Sequence, residues 1–476
     1  MMSIGKILSI IMTLPLVAGL LPPLGVWGAP APKKISLDEA ITIAKANNHD
    51  YKIALQRHKA ESEKVNQAWG MLLPVVESEA SLTRQGAESG FMSMMDGQYD
   101  VKVVQVKFGI NPGMFYNSLQ MTRKAYAVST EELRKVKSDI EFNVIESYFN
   151  LILAEEMITI RKDTIKLLQE NLKDVNSLYK TGSVPRYELL QAQVQLKSQE
   201  PLLLEAENRY RLALEMFNYQ LGLDEGTYVA DRSIIEKEKY RVAENDIDAF
   251  VHRVGGVALK NRPEIIQLRM KKEIAGHAKN INDSYYLWPT FTAGGYYGYN
   301  YPLTTAGEKL IPTTNGGAAY MDLSQIAGER KWQPNWMVRV AATYRWSALL
   351  PVDSSRAQGR EAKARSLEAE EEIAKVKRLI TISIKSSYSN LLTASRTISS
   401  HRENVDKARE GLRIARESYR AGVIKNSELF GAQVALTQAQ GGYINAINSY
   451  YQSLAKLRKD IGTDDDSLIF GGEDHE

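Results

Sequence analysis

Cysteine is absent from the 476 residues. That excludes disulfide scaffolds, thiolate metal sites, thiol nucleophiles and a lipid carried on an N-terminal cysteine. The six histidines, His49, His58, His252, His277, His401 and His475, include no pair spaced three or four apart and no HExxH. Helical histidine metal sites need such a pair, so none is expected. No glycine-rich phosphate loop occurs, and no cofactor or catalytic constellation is legible. Charge of one sign is also lacking. Lys plus Arg number 60, Asp plus Glu number 57, and the net charge is +3. Nucleic-acid partners are not expected, because phosphate neutralisation needs a basic surplus. After residue 21 no run is apolar enough to cross a bilayer as a helix.

The N-terminus has one cation, Lys6, an apolar stretch over 7–21, then Gly28-Ala29-Pro30-Ala31. This is the order of a secretory signal peptide, expected over 1–28, and the apolar stretch is short for a membrane span. An exported chain without spanning helices is periplasmic, secreted, or a β protein of the outer membrane.

The rest repeats itself. Tyr179-Lys-Thr-Gly182 matches Tyr419-Arg-Ala-Gly422, and the same spacing of 240 carries Glu188-Leu189 onto Glu428-Leu429 and Gly222 onto Gly462. Ala192-Gln193-Val194 matches Ala432-Gln433-Val434, and Tyr148 matches Tyr388. A gapless register of this length marks a structural duplication. The expected copies are 29–245 and 246–462, followed by an acidic, solvated tail over 463–476. The second copy has an insertion within 302–335, rich in Gly, Thr and Pro, that reads as a long loop.

Each copy reads as helix, two strands, long helix, long helix. Residues 36–70 show helical spacing, and Ser36 with Glu39 forms a capping-box pattern. Strands are expected near 75–85, 100–110, 289–301 and 336–347. In the last, Trp336, Val338, Val340, Ala342, Tyr344 and Trp346 share one face, while Met337, Arg339, Ala341, Thr343 and Arg345 share the other. Each strand has about the ten residues of a tilted transmembrane β-strand. Trp288, Tyr297, Tyr299, Trp336, Tyr344 and Trp346 are the expected membrane-interface aromatics. Long helices are expected near 114–180 and 353–420, each about 100 Å long. Ile165, Leu168, Leu172, Val175 and Tyr179, with Val405, Ala408, Leu412, Ala415 and Tyr419, step by three and four as a coiled-coil seam. Helices over 186–221 and 426–461 return. Their many glutamines fit a wall with one face toward a water-filled lumen.

Four strands cannot close a barrel, and open edges in lipid leave backbone groups unpaired at several kcal/mol each. If the strands span, the chain must oligomerise, and three copies would supply twelve strands. The alternative is a periplasmic coiled-coil adaptor or scaffold with a small soluble β domain. The wholly apolar and aromatic face of 336–346 argues against it.

In its signal sequence, duplication, two-strand insertions and Tyr-x-x-Gly turns followed by an acidic residue and an Ala-Gln pair, the chain resembles the TolC-like outer-membrane efflux family. The resemblance covers nearly all of the mature chain. It implies a mainly α protein with membrane β-structure. A homotrimer would place a 12-stranded β-barrel in the outer-membrane bilayer, continuous with a long periplasmic α-helical barrel. It implies a passive, non-enzymatic exit duct of a tripartite efflux or type I secretion system. The implied partners are a periplasmic membrane-fusion adaptor and an inner-membrane pump of RND, ABC or MFS type.

The resemblance also places the periplasmic entrance at the two turns. Glu188 and Glu428, six positions after Gly182 and Gly422, match the acidic positions near the constriction. A trimer would gather Glu428 into a ring of like charge that attracts cations. Gly431 and Ile424 stand where some relatives carry a second acid and an arginine. Lys425 and Arg186 are then the cations available to a lock, with Tyr419 beside them in sequence. Tyr179, Gly182 and Gly422 are the turn residues expected to dock the adaptor.

Overall fold

The computed structural model describes residues 33–84, 97–223, 228–234, 242, 246–302, 309–312, 318–321, 331–463, 465 and 467–470. The expected signal peptide at 1–28 lies outside them.

The first half begins with β1 (Lys33–Ile35), α1 (Leu37–Asn47) and α2 (His49–Gly70). The expected single helix over 36–70 is broken at Asn48, whose extended backbone and side chain cap α2, with Asp50 N–H donating to Asn48 Oδ1 at 2.8 Å. The Ser36–Glu39 capping box forms as expected. Strands β2 (Val75–Arg84) and β3 (Gly97–Ile110) lead into α3 (Pro112–Lys180), a helix of 69 residues started by a proline at its first position. The return is α4 (Arg186–Lys197) and α5 (Gln199–Leu221). The expected continuous helix is interrupted at Ser198, because Pro201 has no N–H to give the carbonyl of Lys197.

The first half closes with β4 (Tyr228–Ala230), and the second runs α6 (Ile247–Asn261), α7 (Pro263–Leu287) and β5 (Thr290–Pro302). Within the stretch expected to be a long loop, β6 (Lys309–Pro312) pairs antiparallel with β7 (Ala318–Met321). Strand β8 (Gln333–Thr343) ends before the expected 347, and Trp346–Leu349 form a 3₁₀ turn. Helices α8 (Ser354–Arg420, 67 residues) and α9 (Asn426–Ile461) follow. The tail is not wholly solvated. Ser467–Phe470 form a helical turn, α10, that buries Ile469 in the main core.

The sheet order is β2-β3-β5-β8, antiparallel throughout, with β2 and β8 at its edges. Beneath it the order of packed helices is α2-α3-α7-α8, and lower down α4/α5-α3-α9-α8. The chain is thus a slab four elements wide from sheet to helical end. First-half elements form one edge and second-half elements the other. The largest core lies at mid-length, where Phe149 stacks on Tyr451 and Phe250 on Tyr388 at centroid separations of 3.8 and 3.7 Å. There Tyr148 Oη accepts from Asp231 N–H at 3.0 Å and donates to a backbone carbonyl. Burial pushes this phenol up to about 12.

One face of the sheet is apolar and solvent-exposed. Trp336, Val338 and Val340 project from it, with Val340 80% exposed. The ion pairs Lys102–Glu79 (2.9 Å) and Lys107–Glu77 lie on the other, polar face. Trp288, Tyr297, Tyr299 and Trp346 are exposed, whereas Tyr344 is partly covered and donates its hydroxyl to the carbonyl of Tyr286.

Candidate functional site

The two helical hairpins reverse with one backbone solution. Gly182 and Gly422 sit in the left-handed region, with φ of +77° and +74°. Ser183 N–H donates to Leu178 O and Val423 N–H to Ser418 O, both at 2.9 Å. Gly182 and Gly422 N–H donate to Tyr179 O and Tyr419 O at 3.0 Å. These bonds satisfy carbonyls that a helix end leaves orphaned. A Cβ on either glycine would meet no atom within 4 Å, so conformation and not space selects glycine. The outer surface of each turn is correspondingly open.

Past the turns, Arg186, Tyr187 and Glu188 open α4, and Asn426, Ser427 and Glu428 open α9. Neither N-cap residue, Pro185 or Lys425, caps with its side chain. Each glutamate occupies the third helical position, where the helix dipole favours an anion. Glu428 is exposed and Glu188 half-buried. Among the described residues, no ion pair joins either glutamate to Arg186, Lys425 or another cation; both cations are exposed.

The matched tyrosines part company. Tyr179 is 38% exposed, whereas Tyr419 is 6% exposed, in a small core with Val175, Val405, Leu412 and Leu429. The Tyr419 hydroxyl has no hydrogen-bond partner among the described residues. Burial, then the carboxylates of Glu188 and Asp174, push its phenol up to about 12. Residues from both hairpins therefore converge on Tyr419.

The ties between the hairpins lie within about five turns of the tip, at residues the repeat motif does not mark. Asn171 Nδ2 donates to Asn426 Oδ1 at 2.7 Å, and Asn426 is completely buried. Thr164 and Thr437 hydroxyls are 2.9 Å apart. Arg416 and Arg420 of α8 reach Glu170 and Asp174 of α3 at 3.7 and 3.6 Å. The seam on α3 is buried at Thr164, Leu168, Asn171 and Val175, and so runs one residue ahead of the expected Ile165 and Leu172. The available signal was a polar residue at a helical seam position, as Asn171 is.

The geometry holds no cluster of metal-ligating side chains among the described residues. It offers an acid shortly after each turn, a buried phenol, and polar contacts between two helical hairpins.

A family model described as outer membrane efflux protein matches residues 40–221 and 257–463. Solved structures share the fold. The Campylobacter jejuni CmeC outer membrane channel is 18% identical with a TM-score of 0.69, over 92% of this chain and 87% of that one. The open state of the Neisseria gonorrhoeae MtrE outer membrane channel is 15% identical with a TM-score of 0.67, over 91% and 90%. The Vibrio cholerae outer membrane protein VceC is 14% identical with a TM-score of 0.67, over 90% and 96%. No curated protein matches the chain by sequence.

Proposed function

The chain belongs to the outer membrane efflux protein family, and from that premise we propose that three copies form the exit duct of a tripartite efflux or type I secretion assembly. The duct conducts passively and transforms nothing. An inner-membrane pump drives cargo into it, and a periplasmic adaptor seats on its turns. Residues 29–245 and 246–462 are read as two copies of one unit, with 1–28 as the export signal.

The observation that carries the trimer is the pair of open edges. Among the described residues, strand β2 and strand β8 each have one ladder unpaired. In lipid that is tolerable only if β8 of one copy meets β2 of the next, a head-to-tail contact that closes after three copies into twelve strands. The helical edges agree. On α4/α5, Tyr187, Leu190, Val194, Leu212, Met216 and Tyr219 are exposed, and on α8 so are Leu379, Ile382 and Ile414. Unpartnered apolar stripes of this length mark interfaces. Opposite the polar sheet face, the apolar one lies against acyl chains, flanked by Trp and Tyr at headgroup level.

The lower end is the periplasmic entrance. Three Glu428 side chains would face the aqueous path, while Tyr419, Asn171–Asn426 and the Arg416 and Arg420 pairs hold the second hairpin to the first. Lys425 and Arg186, without an ion pair among the described residues, are left for contacts between copies. The open turns at Tyr179, Gly182 and Gly422 offer the adaptor its seat.

Membrane fractionation and unheated gel electrophoresis test the reading. The expected result is a heat-modifiable trimer in the outer membrane. A soluble periplasmic monomer would favour the scaffold alternative and end the duct. For the turns, bulky substitution at Gly182 and Gly422 should abolish crosslinking to the adaptor; retained crosslinking removes them from the docking surface.

A further inference from the structure

The apolar surface does not stop where the strands stop. Beyond Thr343 the chain leaves the ladder, yet Trp346, Leu350 and Val352 remain exposed, Val352 at 87%. On the neighbouring junctions, Leu73 after α2 and Leu287 at the end of α7 are exposed too. A loop of this composition facing water has no reason to be rigid, but this one is braced. Arg356 Nε donates to Ala348 O at 3.2 Å while its guanidinium lies 3.7 Å from the centroid of the Tyr286 ring. Arg360 Nη1 donates to Pro351 O at 3.0 Å. Asp353 caps α8 through Ser355 N–H at 2.9 Å and stands 3.8 Å from Arg345.

Two features select the occupant. The first is continuity: Tyr344 and Trp346 continue the even-numbered register of the apolar sheet face, and their rings touch at a centroid separation of 4.8 Å. The second is charge. Arg345, just before the 3₁₀ turn, and Arg360, in the second turn of α8, are exposed beside the apolar loop. Apolar side chains with arginines alongside match the boundary between acyl chains and phosphates of a phospholipid leaflet.

We propose that the junction of sheet and helices is an interfacial collar, with Trp346, Leu350 and Val352 seated in the periplasm-facing leaflet and Arg345 and Arg360 at its phosphate groups. The lipid surface thus sits lower on the protein than the ends of the strands. The inference rests on the reading that the sheet spans the membrane.

The absence of cysteine makes the test direct. Single nitroxide labels are placed on the full chain through Val352→Cys, and independently Leu350→Cys, in vesicles of phosphatidylethanolamine and phosphatidylglycerol. Val340→Cys on the sheet and Val423→Cys at the exposed turn serve as references. Power saturation compares access of oxygen, which concentrates in lipid, with that of a water-soluble nickel chelate. The labels at 350 and 352 should shift from the Val423 value toward the Val340 value. A water-like label at 352 and 350 beside a lipid-like label at 340 overturns the collar and leaves the span standing. A water-like label at 340 overturns the span and the collar with it. Labels at 350 and 352 shielded from both probes would mean that a neighbouring copy covers the loop, which also overturns the collar. Adding Arg345→Glu should move the label at 352 toward water; no movement removes the phosphate contact.

Discussion

Replacing Asn426 by alanine tests the polar seam between the hairpins. Asn171 Nδ2 donates to Asn426 Oδ1 in a buried site, while Asn171 Oδ1 and Asn426 Nδ2 have no partner among the described residues. The pair is half satisfied. Truncating Asn426 strands the whole Asn171 amide, at a cost of about 1–3 kcal/mol per copy. That corresponds to about a 5- to 150-fold shift away from the docked position of the second hairpin, taking roughly 1.4 kcal/mol per factor of ten. Open probability in planar bilayers should rise for Asn426→Ala and for Asn171→Ala. The double variant has no buried amide left to strand, so it should lie closer to wild type than either single variant. Single variants that conduct like wild type, or a double variant that is simply the sum of both, would refute the reasoning.

Glu428→Gln should lower cation-over-anion permeability by removing a charge from each copy, measured as reversal potential in a salt gradient; an unchanged potential counts against the acidic ring. Tyr419 has a phenol raised to about 12 against 10.0 in its unfolded form, so the folded protein holds that proton more tightly. Its contribution is complete below pH of about 10 and is lost as pH rises toward about 12. Tyr419→Phe should flatten this alkaline limb in denaturation profiles, and a limb unchanged by the substitution would assign it elsewhere. Gly422→Ala must adopt φ of +74°, costing about 1–2 kcal/mol, read as faster local hydrogen exchange at the turn. Asp460 is fully buried, accepts from Ser383 Oγ at 2.7 Å and from Ser387, and stands 3.8 Å from Arg262. Asp460→Ala should cost about 3–5 kcal/mol in chemical denaturation, and a loss under about 1 kcal/mol would show that Glu264, 3.4 Å from Arg262, suffices to hold that charge.

Local physics made much of the fold legible. Alternation placed four strands because a strand buries one face, and three-and-four spacing placed two helices of about 100 Å because a helix buries a stripe. Gly182 and Gly422 were readable as turns because few other residues accept a positive φ. Breaks were harder. Asn48 ends one helix and caps the next through a side-chain bond, and spacing alone carries no sign of it. Strand β8 stops three residues before its alternating pattern does, because Tyr344 is held by Tyr286 and no longer by a ladder.

A repeated spacing of 240 needs no structure to be seen in the sequence. What the repeat could not say is that its copies occupy unequal places. Leu429 and Gln433 are buried while their counterparts Leu189 and Gln193 are not, because α9 lies inside the slab between α3 and α8, and α4 lies on its edge. Tyr419 is buried and Tyr179 is not, and Asn426 meets Asn171, 255 positions away, across the two hairpins. Residue type and spacing determine which surfaces seek cover. Only the packing of distant elements decides which of two matched surfaces finds it within the chain and which is left at an edge.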